Sequence, residues 1–166
     1  MKIVLGIDPG LCITGYALVT QQGRTVNLVD AAMLKLPERK SISVRIGIFY
    51  DAIARILDER GVSDIALETP FLGKNAQSFL KLGYLRGVVY LLAHQRTLVV
   101  HEFSPSQVKA AVTGYGGASK EQVCRMVRVL FAGMSMPEKY DITDAVAVAL
   151  CGLWHERRFD VQGQLR

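Results

Sequence analysis

The order of apolar and polar residues predicts three strands at the start of the chain. Apolar runs from Lys2 to Ile7 and from Gly15 to Thr20 flank an Asp-Pro-Gly turn, and Val26 to Lys35 alternates between apolar and polar positions. Short runs that end in turn residues are typical of strands, and alternation with a period of two is typical of a strand with one buried face. These segments therefore predict an antiparallel meander.

Two helices and two more strands are predicted to follow. Apolar residues recur at helical spacing from Ser43 to Arg60, and Gly61 stands just past the end as a C-cap. The short apolar runs Asp64 to Glu68 and Leu98 to Phe103 predict the fourth and fifth strands. A long helix from Asn75, as N-cap, to about Gln95 separates them. We therefore expect an α/β domain with a mixed five-stranded sheet.

The remainder of the chain is predicted to be helical. A capping-box pattern in Ser104 to Gln107, with proline at the first helical position, predicts a helix that begins at Pro105. Lys120 to Phe131 is a basic amphipathic helix, and Asp141 to about Glu156 is a long, alanine-rich one. We expect helices on both faces of the sheet, one domain over residues 1–158 and a flexible tail over 159–166.

The composition of the 166 residues fits a single globular domain. Half of the residues are hydrophobic, and the formal net charge of +5 fits an anionic partner without requiring one. Cys12, Cys124 and Cys151 are odd in number and widely spaced, so neither a disulfide framework nor a zinc site is predicted. Because no apolar run approaches the ~18 residues of a membrane span, we expect a soluble, cytoplasmic protein.

Four acidic residues occupy unusual places in this pattern. Asp8 ends the first predicted strand, Glu68 ends the fourth, and Asp141 and Asp144 share one face at the start of the last helix. Each has an ordinary local role as a turn residue, a solvated strand end or a helix N-terminal charge. If the two strands are neighbours and the helix begins beside them, all four carboxylates converge at one edge of the sheet.

Such a convergence predicts a site for divalent metal ions. Carboxylates close together disfavour joint ionisation, and Mg²⁺ or Mn²⁺ relieves that conflict because both ions prefer oxygen ligands. Two ions ~4 Å apart can activate a water molecule and stabilise the leaving oxygen of a phosphodiester. Glycine-flanked aspartates also cradle phosphates in sugar-kinase and actin-like ATPases, but 166 residues leave room for only one of their two lobes.

Four stretches of the sequence resemble one family of nucleases. They are GIDPG and TGYALV between Gly6 and Val19, ALETPFLGKNAQSFLKLGYLRGV from Ala66 to Val88, SPSQVKAAVTGYGGASKEQVCRMV from Ser104 to Val127, and DITDAVAVAL from Asp141 to Leu150. Their order and content are similar to the RuvC family of crossover (Holliday) junction endodeoxyribonucleases, which are RNase H-like metal nucleases. The resemblance spans nearly the whole chain and implies that residues 1–158 form an RNase H-like nuclease domain.

The resemblance also implies an activity. The catalytic acids fall on Asp8, Glu68, Asp141 and Asp144, which in this family bind two Mg²⁺ or Mn²⁺ ions. A homodimer makes paired, symmetric nicks in opposing strands of a four-way DNA junction during recombination and repair. Water attacks phosphorus in line, and the products carry a 5′-phosphate and a 3′-hydroxyl. The implied partner is the RuvA-RuvB branch-migration complex.

Two lysines and one aromatic residue match further positions of the family. Lys109 and Lys120 match basic positions beside the active site, where an ammonium group can hold the scissile phosphate or stabilise developing charge. Phe71 falls where relatives carry an aromatic residue near the unpaired bases of the junction, a role that suits stacking. The ordinary alternatives are solvated lysines on helices and a loop phenylalanine anchored in the core.

Other polar residues are candidates for contacts with the DNA backbone, and each also fits an ordinary polar helix face. These residues are Lys74, Asn75, Lys81, Arg86, Arg125 and Arg128. The second apolar face of the helix from Asn75 to Gln95 fits the dimer contact of the family, and burial under another helix is its alternative.

The sequence departs from the family in the loop after Asp8. Leu11 and Cys12 stand where relatives carry a small hydroxyl residue and a basic or polar one. This departure removes no proposed metal ligand. Two alternative functions stay open, a junction-binding protein without cleavage activity and an RNase H-like nuclease that acts on RNA or RNA–DNA hybrids.

Overall fold

The structure, a computed structural model, describes residues 2–70, 76–132 and 140–163, with side chains as far as residue 155. Its strands are β1 (Ile3–Asp8), β2 (Ile13–Gln22), β3 (Thr25–Lys35), β4 (Asp64–Glu68) and β5 (Val99–Phe103). Its helices are α1 (Ile42–Glu59), α2 (Ala76–Gln95), α3 (Pro105–Thr113), α4 (Lys120–Leu130) and α5 (Tyr140–Gly163).

The strands form one mixed sheet in the order β3-β2-β1-β4-β5. The first three strands pair antiparallel, while β4 pairs parallel with both β1 and β5. The predicted α/β class, the meander and the mixed five-stranded sheet are therefore confirmed. The parallel pairing brings the carboxyl ends of β1 and β4 to the same edge of the sheet.

Helices cover both faces of the sheet, as predicted, because side chains of the central strands alternate between two apolar cores. On one face, Leu5 and Ile7 of β1 pack with buried residues of α1 and α2. On the other face, Val4 packs with buried residues of α3, α4 and α5. This alternation with a period of two is the property of a strand that is buried on both sides.

Predicted element bounds agree with the structure to within two residues except at the end of α5. The capping box of α3 is confirmed, since the side chains of Ser104 and Gln107 each accept a hydrogen bond from the other's backbone N–H. The prediction that the last helix ends near Glu156 is wrong, because α5 continues to Gly163. No glycine or proline interrupts the chain between Glu156 and Gly163. The division into a domain over residues 1–158 and a flexible tail over 159–166 stays a prediction. Residues 164–166 lie outside the described residues.

Helix α5 lies unusually close to the centre of the sheet. A Cβ atom added to Gly6 of β1 would lie 2.4 Å from the backbone nitrogen of Ala149, and one added to Gly15 of β2 would lie 2.1 Å from the carbonyl oxygen of Asp141. Residues 145–150 of this helix are fully buried between the sheet and the helices α3 and α4. A helix that is apolar on all sides is a core helix, which explains its alternating alanine and valine residues.

None of the helices in the described ranges is both long and apolar enough to cross a membrane.

The close contact of α5 with the sheet leads to a stability prediction. Gly15→Ala forces a methyl group into the carbonyl oxygen of Asp141, and we expect it to lower the free energy of unfolding by about 1–3 kcal/mol, the usual cost of overpacking. Urea denaturation followed by circular dichroism measures this change.

The matched control is Gly47→Ala, because Gly47 lies in α1 with open space around its Cβ position. There the substitution should raise stability by about 0.5–1 kcal/mol through helix propensity. Equal effects of the two substitutions would contradict a special role for close packing at Gly15.

Candidate active site

Asp8 and Glu68 stand side by side at the carboxyl edge of the sheet. In the β1–β4 pair, Ile7 lies opposite Leu67, and each acid is the next residue of its strand. Asp8 is followed by Pro9 and Gly10. The backbone N–H of Gly10 donates a hydrogen bond to the hydroxyl of Thr14, and that hydroxyl donates one to the carbonyl of Gly10. The turn therefore ends β1 at Asp8, and the expectation that the two acid-bearing strands are neighbours is confirmed.

Helix α5 brings the remaining two acids to this edge. Gly15, which pairs with Asp8 across β1 and β2, lies against the carbonyl of Asp141 in the first turn of α5. Asp144 follows on the same face of the helix, and its side chain is only 17% exposed. The packing of α5 on the two glycines thus determines where these carboxylates lie.

A cavity of about 260 Å³ opens at the junction of these elements. Helix α3 contributes Lys109 to its wall, and α4 contributes Lys120 as its first residue. The Nζ atom of Lys120 donates a hydrogen bond of 3.0 Å to Oδ2 of Asp144. The residues that line the cavity are Asp8, Glu68, Pro105, Val108, Lys109, Lys120, Val123, Asp144 and Ala147.

Burial and mutual repulsion raise the pKa values of the two strand-end acids. The pKa of Asp8 is raised to about 6, first by burial and then by the charges of Asp144 and Asp141, against the opposing charge of Lys120. The pKa of Glu68 is raised to about 7 by burial and by the charges of Asp8 and Asp144. Conversely, the hydrogen bond to Asp144 and its charge raise the pKa of the Lys120 ammonium. The site is therefore short of positive charge.

Asp64, at the opposite end of β4, is a carboxylate whose negative charge is compensated by neighbouring hydrogen-bond donors and a lysine. It accepts a hydrogen bond from the Ser63 hydroxyl at 2.8 Å, lies 3.1 Å from Nε2 of His101, and forms an ion pair with Lys2 at 3.6 Å. Burial raises its pKa, but the hydrogen bonds and the lysine charge outweigh burial and lower the net value. At Asp8 and Glu68 the opposing lysine charges do not outweigh burial and the neighbouring carboxylates, and raised pKa values of this kind are typical of a functional site.

The chemistry of the acid cluster fits a hard divalent cation. All four side chains offer carboxylate oxygens, the ligands preferred by Mg²⁺ and Mn²⁺, and the raised pKa values mark charge that a cation would neutralise. Within the described ranges, no three His, Cys, Asp or Glu side chains already stand together as a set of ligands. The carboxylates are near enough for their charges to raise one another's pKa values.

The other candidate DNA contacts fall into separate places. Phe71, Lys74 and Asn75 lie outside the described residues. Lys81 is exposed on α2, and Arg125 and Arg128 are exposed on α4. The last two line a second cavity of about 380 Å³ together with Tyr140 at the start of α5.

Arg86 has an environment different from that of a solvated phosphate contact. Its side chain is only 13% exposed, and Nη1 donates a hydrogen bond of 2.7 Å to the backbone carbonyl of Glu68. Nη2 forms an ion pair with Glu102, which also accepts a hydrogen bond from the Tyr90 hydroxyl. Glu102 and Tyr90 were not among the residues predicted from the sequence, although an acidic residue near the end of a predicted strand, as Glu102 is, was a usable signal.

The loop after Asp8 is anchored toward α1. Leu11 packs against the core formed with α1 and α2, and the carbonyl of Cys12 accepts a hydrogen bond of 2.8 Å from the backbone of Leu36. The exposed Cys12 thiol accepts a contact of 3.9 Å from Nη2 of Arg45. The two unusual residues therefore pack within the chain and do not line the acid cavity.

Comparisons with known proteins identify the family to which the chain is similar. A family model described as "Crossover junction endodeoxyribonuclease RuvC" matches residues 4–152. The chain is 44% identical over 151 residues to a protein of that name from Pelodictyon phaeoclathratiforme, which covers 91% of this chain and 79% of the relative. It is 42% identical over 168 residues to one from Chlorobium phaeovibrioides, with 97% and 89% covered.

A solved structure gives a similar result for the fold. The structure of Thermus thermophilus RuvC in complex with a Holliday junction substrate superposes with a TM-score of 0.88 at 28% sequence identity, covering 96% of this chain and 97% of that chain. This likeness confirms the predicted RNase H-like fold.

The raised pKa values lead to a prediction for the metal-free protein. A carboxyl group whose pKa is higher in the folded chain contributes stability that is fully present below its unfolded pKa and is lost as pH rises through its folded pKa. In chelator, Glu68→Gln should therefore unfold like the parent near pH 4 and exceed its stability at pH 8. The expected gain is about 1–3 kcal/mol, since one pKa unit corresponds to about 1.4 kcal/mol.

Denaturant titrations across this pH range measure the difference between parent and variant. Glu59→Gln, an exposed change at the end of α1, is the control and should give a difference that does not vary with pH. A Glu68→Gln protein less stable than the parent at pH 8 contradicts the electrostatic account.

Proposed function

The chain belongs to the family of crossover junction endodeoxyribonucleases, and we propose that it resolves four-way DNA junctions by metal-dependent hydrolysis of phosphodiester bonds. The observation that carries the proposal is the convergence of Asp8, Glu68 and Asp144 with Lys109 and Lys120 around one cavity. The fold match to a relative in complex with a Holliday junction substrate supports junction DNA as the substrate. We place the reaction in the cytoplasm, in DNA recombination and repair.

Asp8, Glu68, Asp141 and Asp144 are proposed to hold two Mg²⁺ or Mn²⁺ ions in each active site. Bound there, the ions would activate the attacking water and stabilise the leaving oxygen. The chain supplies ligands from two adjacent strand ends and from a helix packed tightly against them, so the carboxylates are positioned by rigid elements before DNA binds.

Lys109 and Lys120 are proposed to bind the scissile phosphate. Lys120 is 67% exposed and paired with Asp144, so its ammonium can turn from the carboxylate to a phosphate when DNA enters the cavity. The half-buried Lys109 faces the same cavity, and its charge opposes the rise in the pKa of Glu68. The products are a 5′-phosphate and a 3′-hydroxyl.

Two copies of the chain are proposed to form a homodimer through an exposed apolar stripe on α2. The stripe consists of Leu80, Tyr84, Gly87 and Leu91. These residues follow helical spacing, and the three side chains are 60%, 44% and 50% exposed. Gly87 and Gly83 lie inside the helix with open space at their Cβ positions, so packing within the chain does not require glycine there. Each costs about 1 kcal/mol relative to alanine, a cost that close contact with a second helix would offset.

Two-fold symmetry of the dimer suits a substrate with paired cleavage sites. A symmetric contact between two α2 stripes places two equivalent cavities around one axis. Phe71, Lys74 and Asn75 immediately precede α2, and they are proposed to contact unpaired bases and backbone, together with Lys81, Arg125 and Arg128 as phosphate contacts. The RuvA-RuvB branch-migration complex is proposed to present the junction.

The acid cluster is tested by Asp144→Asn. We expect this variant to bind synthetic four-way DNA like the parent and to cleave it at least about 100-fold more slowly, because loss of a metal ligand removes several kcal/mol of transition-state stabilisation. Gel-shift titration in Ca²⁺ and cleavage rates in Mg²⁺ measure the two properties. Asp51→Asn, an exposed change on α1, is the matched control and should leave both unchanged.

The same assay separates the alternative functions. A junction-binding protein without activity leaves the four-way DNA intact in the parent as well, and a nuclease for RNA prefers an RNA–DNA hybrid to the junction. Cleavage by Asp144→Asn at the parental rate would overturn the proposed site.

The dimer is tested by Leu80→Glu, which places a charge at the most exposed apolar side chain of the α2 stripe. We expect sedimentation to show monomers where the parent is dimeric, because an unpaired charge in an apolar contact is strongly unfavourable. On a plasmid with an extruded cruciform, linear product should give way to nicked circles, since the two cuts are no longer made together.

The matched control for Leu80→Glu is Val44→Glu, because Val44 is an exposed apolar residue on α1, away from the stripe. It should preserve both the dimer and the linear product. Dimers of undiminished affinity in Leu80→Glu would exclude the α2 stripe as the interface.

A further inference from the structure

Arg86 joins three elements around the carboxyl edge of the sheet. It lies in the second half of α2, and its Nη1 donates a 2.7 Å hydrogen bond to the backbone carbonyl of Glu68 at the end of β4. Its Nη2 pairs with the carboxylate of Glu102 in β5. One guanidinium therefore connects α2 to the adjacent ends of two parallel strands.

The carboxylate of Glu102 is held from a second side. The Tyr90 hydroxyl, one helical turn after Arg86, donates a hydrogen bond to the same Oε1 atom that Arg86 contacts. Burial and the bond to Glu102 raise the pKa of the Tyr90 hydroxyl, so it stays protonated and a donor near neutral pH. Glu102 thus aligns the guanidinium, whose planar donors then point at the Glu68 carbonyl.

The end of β4 is also held on its β5 side, since Glu68 pairs with Phe103 in the ladder. The next residue, Thr69, donates its backbone N–H to the carbonyl of Phe103 at 2.8 Å, which closes the β4–β5 ladder. Beyond it, a cavity of about 170 Å³ separates the acid pair from α2, and Asp8, Glu68 and Arg86 all line this cavity. The Arg86 side chain connects α2 with the Glu68 backbone through its hydrogen bond to the carbonyl.

A direct role in DNA binding fits these contacts poorly. The guanidinium of Arg86 is paired with Glu102 and bound to the Glu68 carbonyl, and its side chain is 13% exposed, whereas Lys120, which can turn from its carboxylate partner to a phosphate, is 67% exposed. Lys81, on the same helix, is exposed and lacks this arrangement.

We propose that Arg86, aligned by Glu102 and Tyr90, is a positioning residue that fixes the end of β4 so that the Glu68 carboxylate stands ready to bind a divalent cation. This inference rests on the proposed function and extends it to residues outside the acid cavity. Groups that orient metal ligands typically change metal affinity or activity by about 10–100-fold when they are removed. The helix that carries the apolar stripe thereby also sets the geometry of a metal ligand.

The test compares Arg86→Gln with Glu102→Gln, two substitutions that change the net charge of the protein in opposite directions. The first removes a positive charge and the second removes a negative one, so a phosphate contact and a positioning role predict different results. We expect both to raise the Mg²⁺ concentration for half-maximal cleavage by about tenfold, the lower end of the range for such groups, while junction affinity in Ca²⁺ changes little. Mn²⁺ binding without DNA, followed by electron paramagnetic resonance, should weaken in parallel.

The control is Arg96→Gln, which breaks an ion pair with Asp58 just beyond α2 and lies away from the site. It should leave the Mg²⁺ dependence unchanged. Tyr90→Phe removes only one hydroxyl, and it should shift the dependence in the same direction by a smaller factor. It therefore serves as the test if the charge substitutions fail to fold.

The outcomes separate this inference from the proposed function. Unchanged Mg²⁺ dependence and Mn²⁺ binding in Arg86→Gln and Glu102→Gln, with Asp144→Asn inactive, would overturn the positioning role alone. Weaker junction binding in Arg86→Gln together with tighter binding in Glu102→Gln would instead identify a phosphate contact. Full cleavage by Asp144→Asn would remove the proposed function itself.

Discussion

The contact between α5 and the middle of the sheet is the constraint on which the site depends. Gly6 and Gly15 allow the helix backbone to touch the strands, at distances where a single methyl group would meet the carbonyl of Asp141 or the nitrogen of Ala149. Tight packing of this kind leaves a helix only one depth and one register. Because Gly15 is also the pairing partner of Asp8, the contact that stabilises the core is the same one that delivers the helical acids to the strand-end acids.

That arrangement sets fold stability against function. The sheet compensates Asp64 with a hydroxyl, an imidazole and a lysine, and the pKa of that acid is lowered. At the other edge, the pKa values of Asp8 and Glu68 rise to about 6 and about 7 because burial and neighbouring carboxylates act together. A domain with about 5–15 kcal/mol of net stability can carry this electrostatic cost only if packing elsewhere is good. The fully buried residues 145–150 of α5 and the two apolar cores supply that packing.

Features of the fold that depend on local pattern were predictable from the sequence, whereas features that depend on tertiary contact were not. Alternation and apolar runs located the strands, and the capping box at Ser104 located the start of α3, because neighbouring residues determine these features. The end of α5 was predicted too early because the chain becomes polar after Trp154. No glycine or proline ends the helix there, and it continues to Gly163. From the sequence, Arg86 was predicted as a contact with the DNA backbone or part of a polar helix face. Its partners, the Glu68 carbonyl and Glu102, lie 18 and 16 residues away along the chain and meet it only in the folded protein.

Helix α2 carries both the apolar stripe proposed for the dimer and the arginine proposed to position a metal ligand. One side of it is the apolar stripe that includes Leu80 and Leu91, and its buried side reaches the end of β4 through Arg86. The stripe and the guanidinium that binds the Glu68 carbonyl thus belong to one continuous helix. In a dimer built on this stripe, each subunit would help to hold a metal ligand of its partner in position without contributing a residue to that site. On these two proposals, formation of the dimer and positioning of the metal ligand would be coupled, which would suit an enzyme that makes two cuts in one junction.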